Sequence, residues 1–293
     1  MAEIISSSEK REAEFNRFIV TEYLRYGSVD EVFRRNDYAL PISYPGVQRL
    51  LDKWGIVKAA GPNTRLSEAL AFLSRLSSEK IPLETLYRNM PPSFKTSMGT
   101  LHRILTHIRK GTIRRVGTAL ILSPRANPNM VLVGNDVSVP RLEVGKKFGS
   151  ISLPMGYSRR TEGRVTSVLR VLQQEVFTQR AIERTLPMDE LTGSTDPFMY
   201  IDIADVRVAV YNFLLPDWLS DTKRFSSFKI QDLRFLHVSE ICSAEGNFRT
   251  GMAEMGNGYR RLLAEPRRDF ALDPLFERSF LNSQLALTPV PER

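Results

Sequence analysis

The sequence predicts an α+β chain in two parts: an all-α N-terminal region of tandem helix-turn-helix-like units, followed by an α/β domain built as an α/β/α sandwich. Three observations carry this expectation. A length of 293 residues suits about two domains. Hydrophobic spacing is helical up to Gly111 and changes to strand-like runs after it. The charge is also split, since residues 1–115 hold 19 Lys/Arg against 12 Asp/Glu, leaving 22 against 21 from the totals of 41 and 33.

Within the basic part, residues 53–115 carry 12 basic and 3 acidic side chains. Such a balance fits a nucleic-acid-binding module beside a near-neutral domain, or a solvated basic face. With 42% hydrophobic and 25% charged residues the chain can bury ordinary cores. No apolar run approaches the ~20 residues that span a bilayer, and the N-terminus lacks a secretory apolar stretch. One cysteine, Cys242, leaves no internal disulfide, and three histidines make a histidine-based metal centre a poor fit. A cytoplasmic protein with no membrane partner is expected.

The helical region is expected over residues 1–112, with repeat units at about 9–57 and 66–111. Residues 9–26 place Phe15, Phe18, Ile19 and Leu24 near helical spacing, and Gly27 stops the pattern. Ser28 is positioned to cap a short second helix, 29–36. Ser43 caps a third that runs to Gly55, with Pro45 where a first turn tolerates it. Val47, Leu50, Leu51 and Trp54 line one face, while Gln48, Arg49, Asp52 and Lys53 fall outside it. Residues 29–51 then match 83–105 without a gap, with four of 23 positions identical: Arg34/Arg88, Ser43/Ser97, Arg49/Arg103 and Leu51/Leu105.

The second unit ends in SMGTLHRILTHIRK, residues 97–110, with Leu101, Ile104, Leu105 and Ile108 as its inner stripe. Arg reads guanine edges, Gln reads adenine, and Ser, Thr and Lys hold phosphates. Ser43, Gln48, Arg49, Lys53, Ser97, Thr100, His102, Arg103, His107, Arg109 and Lys110 are therefore the candidate contacts to double-stranded DNA. Two such units on a basic tether resemble the bipartite DNA-binding regions of transposases and paired-type factors. The turns before the third helices are longer than the usual three or four residues and contain Pro41, Pro91 and Pro92. A helical protein-docking region or an enzyme cap domain therefore stays open as an alternative.

Residues 113–265 follow as the sandwich. Strand patterns occupy 116–123 and 130–134, expected as an opening hairpin across the Pro124–Asn129 turn. Residues 153–175 read LPMGYSRRTEGRVTSVLRVLQQE: Gly156, five residues, Glu162, seven residues, Arg170, then Val-Leu-Gln-Gln-Glu. That spacing resembles the Nudix box, in which a glycine, a glutamate and an arginine lead into a carboxylate-rich helical turn. Val165, Val168, Leu169, Leu172 and Val176 share one stripe, expected to face the sheet. Positions 171, 174 and 175 cluster on another face, where the resemblance implies three glutamates on magnesium. Here they are Val171, Gln174 and Glu175, a local charge of −1 instead of −3, and Phe177 stands where a glycine ends the family's helix.

Later strands are expected at 198–203, 206–215 and 230–236, with a closing helix over 248–265. Residues 266–293 read as a tail that docks Phe270, Leu275, Phe276 and Phe280 on the core. The reading that follows is a DNA-binding, transcriptional regulator. Its Nudix-like domain would serve as sensor of a nucleotide or nucleotide-sugar ligand, with Gly156 and Arg170 as ligand-binding elements, or as a homodimerisation module. The alternative is a magnesium-dependent nucleoside-diphosphate hydrolase, with Glu175 as metal ligand beside Glu162 and Gln174 as catalytic residues, aided by a later acid such as Asp189, Glu190 or Asp196. No other cofactor is expected.

Overall fold

The computed structural model describes residues 7–58, 110, 115–141, 144–243 and 246–287. It shows a helical region followed by an α/β sandwich. Helix α1 (Ser7–Tyr26) ends at Gly27, whose φ of 71° suits a residue without Cβ. Helix α2 (Val29–Arg35) starts where Ser28 Oγ accepts from Glu31 N, and α3 (Tyr44–Lys53) where Ser43 Oγ accepts from Gly46 N. Both serine caps stand at the positions expected of them.

Ile19, Val20, Tyr23 and Leu24 of α1 close on Val32, Phe33, Val47, Leu50, Leu51 and Ile56 to form one small core. Phe18 was expected inside and is 42% exposed. Successive helical residues turn by about 100°, which sets it aside from the inward Phe15, Ile19 and Tyr23 row. This core is completed by Ala181 and Ile182 of the sandwich, so the helical region is seated on the domain that follows.

Strands β1 (Arg115–Pro124), β2 (Met130–Asp136), β3 (Ser150–Ser152) and β4 (Met155–Ser158) open the sandwich. Helix α4 (Arg164–Val171), a π-helical turn (Leu172–Val176) and α5 (Thr178–Glu183) follow. Then come β5 (Thr192–Gly193), β6 (Met199–Ile203), β7 (Val206–Leu215), β8 (Ile230–His237), α6 (Val238–Ser243) and α7 (Met252–Ala264). The closing pieces are β9 (Leu275–Arg278) and α8 (Phe280–Leu287). Among the described residues these strands form a six-stranded sheet, β4-β1-β7-β6-β9 with β5 on β7, and a three-stranded sheet, β3-β2-β8.

Alternation along β1 shows how the layers are built. Ala119 and Ile121 enter a core shared with Met252, Met255 and Tyr259 of α7, while Leu120 and Leu122 enter one shared with Val168, Leu172 and Val176 of the box helix. Strand β7 divides in the same way, Val206, Val208 and Val210 to one side and Tyr211, Phe213 and Leu215 to the other. Among the described residues no helix is long and apolar enough to cross a membrane.

Several expectations are corrected. The β1–β2 hairpin is absent, because β1 has β4 on one side and ten register pairs with parallel β7 on the other, leaving no edge for β2. Val165 is 55% exposed; α4 has turned only from Ser167 onward toward the sheet. The segment expected to dock as a tail supplies β9, which pairs in parallel with β6 from Met199–Leu275 to Asp202–Arg278. Phe270 and Leu275 are buried as expected, whereas Phe276 and Phe280 are exposed, because an edge strand and the helix after it present one face outward. The closing helix begins at Met252 instead of Phe248, after Gly251 at φ 92°.

Candidate functional site

The site grows from a register change in the box helix. Phe177 N donates to Leu172 O at 2.7 Å, five residues back, the hydrogen bond of a π-turn. That widening leaves helix carbonyls without their usual partners, and a loop before β8 supplies them. Ser226 N donates to Val176 O at 2.8 Å, and Ser227 Oγ donates to Gln174 O at 3.1 Å. Ser227 Oγ in turn accepts from Lys229 N, which fixes where the Lys229 side chain begins.

Lys229 then reaches the turn. Its Nζ donates to Gln174 Oε1 at 2.7 Å and stands 3.4 Å from Glu175 Oε1. An ammonium thus occupies the face where the sequence resemblance implies a carboxylate triad. Val171, Gln174 and Glu175 do share that face, as the helical spacing requires, and all three line one cavity of about 220 Å³. Burial raises the Glu175 carboxyl above its ordinary range, with Lys229 and Lys146 opposing and Asp136 adding to the rise.

Opposite lies a second charge cluster. Asp136 Oδ1 accepts from Ser138 N and Oγ and pairs with Lys146 Nζ at 3.1 Å, while Arg249 Nη1 is 3.6 Å from Oδ2. Lys146 also donates to Ser138 Oγ, and burial pulls its ammonium below the usual lysine range despite Asp136. The cavity is lined by five cationic side chains (Arg141, Lys146, Arg170, Lys229, Arg249) and two anionic ones (Asp136, Glu175), an excess of three. Glu162 pairs with Arg170 from outside the lining, and Arg141 and Arg249 each make a further interaction.

The loop brace is present. Arg170 Nε donates to Glu162 Oε1 at 3.0 Å, and Arg170 Nη2 donates to Ser158 Oγ at 2.8 Å. Glu162 Oε2 also accepts from Arg159 N, so the carboxylate closes the loop on both sides. A Cβ on Gly156 would stand 3.3 Å from Arg170 Nη1, which explains a glycine there. Gly156 and Arg170 both line the cavity; Glu162 lies beyond the arginine, outside the lining.

Of the later acids, Asp196 pairs with Arg164, Glu190 accepts from Trp218 Nε1, and neither they nor Asp189 lines the cavity. Among the described residues no group of three or more His, Cys, Asp or Glu is placed to hold a metal ion. Of the set that the resemblance implies for magnesium, Glu175 faces Lys229, Gln174 is a neutral amide, and Glu162 faces Arg170.

Gln48, Arg49 and Lys53 are exposed on α3, and Ser43 is exposed with its hydroxyl used as a cap. Lys110 is exposed. Ser97, Thr100, His102, Arg103, His107 and Arg109, with nearly all of the second helical unit, lie outside the described residues. Sequence reading missed Lys146, Lys229, Asp136 and Arg249. They come from separate loops and strands, and no local spacing links them.

No family model and no curated protein matches the chain. Among solved structures it is similar to a Nudix hydrolase from Nitrosomonas europaea, at 15% identity and TM-score 0.35, over 57% of this chain and 79% of that one. It is also similar to a MutT protein from Methanosarcina mazei, at 12% identity and TM-score 0.37, over 54% and 98%. A MutT/Nudix family protein from Listeria innocua is similar at 14% identity and TM-score 0.38, over 53% and 97%. Overlaps at scores of that size carry nothing further about this chain, and its function is read from its own residues.

Proposed function

We propose that the sandwich is a non-hydrolytic binding domain for a phosphorylated, nucleotide-type anion, and that it regulates the DNA-binding activity of the helical region. The observation that carries the first half is Lys229 Nζ at 2.7 Å from Gln174 and 3.4 Å from Glu175. A cation supplied by the protein neutralises an incoming phosphate without a metal, but it cannot activate water as a bound divalent ion does. The five cationic side chains that line the cavity support the charge of the ligand. The exposure of Gln48, Arg49 and Lys53 on one helix supports the second half.

Incubation with a nucleoside-diphosphate panel and magnesium is expected to release neither phosphate nor nucleoside monophosphate. A gel-shift screen on genomic fragments is expected to show selective retention at ~50 mM salt, weakened ~1–3 kcal/mol by Arg49→Ala or Arg103→Ala. Loss of retention only on deleting the sandwich would contradict the assignment of DNA contact to the helices.

The second reading is a magnesium-dependent diphosphate hydrolase, favoured by the intact Glu162–Arg170 brace. Magnesium-dependent turnover abolished by Glu175→Gln would establish it. That result would sink the sensor reading.

A further inference from the structure

The residue that replaces a metal-binding glutamate has a second bond, to the helical region. Gln174 Nε2 donates to Val57 O at 3.2 Å. Its neighbour Gln173 accepts from Val57 N at 2.9 Å and donates to Gly55 O at 2.7 Å. The strap 55–57, which follows α3, is thus clamped on the box helix by two buried glutamines. Gln174 must donate to a carbonyl and accept from Lys229 at the same time. An amide has both a donor and an acceptor end, whereas an ionised carboxylate has no donor and would set oxygen against oxygen.

The helical region also reaches the cavity at a second place. Tyr26 and Gly27, at the α1–α2 junction, line it beside Lys229, and the Arg25 guanidinium lies 4.9 Å over the ring of Phe228, next to Lys229 in the chain. An ammonium on the oxygen of an amide polarises that amide and strengthens the bonds its N–H groups donate. Resting on the sensor reading above, we propose that Lys229 couples the pocket to the helices. A compact phosphate or diphosphate group in the cavity draws the Lys229 ammonium off Gln174 and Glu175, the bond from Gln174 to Val57 O weakens, and the strap loosens together with the Val57 N–H bond to Gln173.

The cavity, about 220 Å³, suits a phosphate or diphosphate group better than a whole dinucleotide, since pockets for drug-sized ligands run ~300–1,000 Å³. The site draws on Lys146, Lys229, Arg141 and Arg249. The same chemistry is offered by free pyrophosphate and by the diphosphate of a nucleotide, and titrating each separates the two sources.

The test uses the full chain in EDTA with inorganic pyrophosphate and ADP as probes, reading calorimetric binding together with hydrogen exchange at the Val57 amide. Metal-free binding of either probe is expected, with exchange at Val57 raised several-fold on saturation. Lys229→Met should bind at least tenfold more weakly and show raised exchange without any probe. Lys229→Met/Glu175→Gln, which removes both buried charges, should behave the same way and separates coupling from simple destabilisation. If a probe binds but exchange at Val57 is unchanged, or if Lys229→Met binds as the wild type does, the coupling is wrong while the sensor reading stands. Failure of both probes without metal, with binding restored by magnesium, overturns the sensor reading itself.

Discussion

Replacing Arg170 with alanine is expected to cost about 3–5 kcal/mol of folding stability, the largest single loss at the site. The arginine and its partner Glu162 have side chains only 3% and 5% exposed, and their ion pair is 3.0 Å long. Truncating the arginine removes its two-bond contact with Glu162 and its bond to Ser158 Oγ, and leaves a buried carboxylate without its cation. Ser158 Oγ lies 2.9 Å from Thr118 Oγ1, so the loss extends to the β1–β4 edge that lines the cavity. Denaturant unfolding of Arg170→Ala, Glu162→Ala and the double variant checks this. The double variant is expected to cost well below the sum of the singles, because removing both partners leaves no orphaned charge. Additive costs would mean the two side chains do not act as a pair.

Phe177→Ala is expected to cost about 3–5 kcal/mol, the range for deleting a buried aromatic side chain. Phe177 is fully buried, with its ring 5.7 Å from that of Phe225, in the core shared with Leu172, Val176 and Tyr211. Its φ of −119° makes no demand for glycine, although the resembled motif has glycine at this position. Phe177 ends the π-turn and leads into α5, bridging to Ser226, and its ring is held in the core beside the turn. Phe177→Gly should cost more than Phe177→Ala by about 0.4–1 kcal/mol, the extra backbone entropy that glycine loses on folding. A loss below 1 kcal/mol for Phe177→Ala, read from the same unfolding curves, would contradict this packing.

The sequence carries its local signals well and its long-range ones poorly. Ser28 and Ser43 act within three residues of themselves, so both helix starts are legible from the cap and the spacing alone. The Gly156, Glu162 and Arg170 brace is legible for the same reason, since eight residues separate the ion pair. The fate of Gln174 is not, because its partners are Val57 and Lys229, 117 and 55 residues away. The acids that the resemblance implies can be counted against the sequence, but what Gln174 does on that face needs the fold.

The same distinction explains the errors in element pairing. Strand patterns for β1 and β2 are plain, yet which strand flanks which depends on β7, more than 80 residues on, taking the edge that a hairpin would need. Strand β9 escapes notice because four residues on a sheet edge bury only Leu275 firmly. The π-turn shows as no composition signal at all. It is a one-residue shift in hydrogen bonding, stabilised by Ser226 and Ser227 from another part of the chain.

The central claim is that Lys229 stands in for a metal ion at a site that binds without hydrolysing. Calorimetric titration of the full chain with ADP, in EDTA and then in magnesium, tests it most directly. The predicted result is binding in EDTA, unchanged within a factor of about three on adding magnesium, with the nucleotide recovered intact. Binding that appears only with magnesium, or a nucleotide returned cleaved, would contradict it.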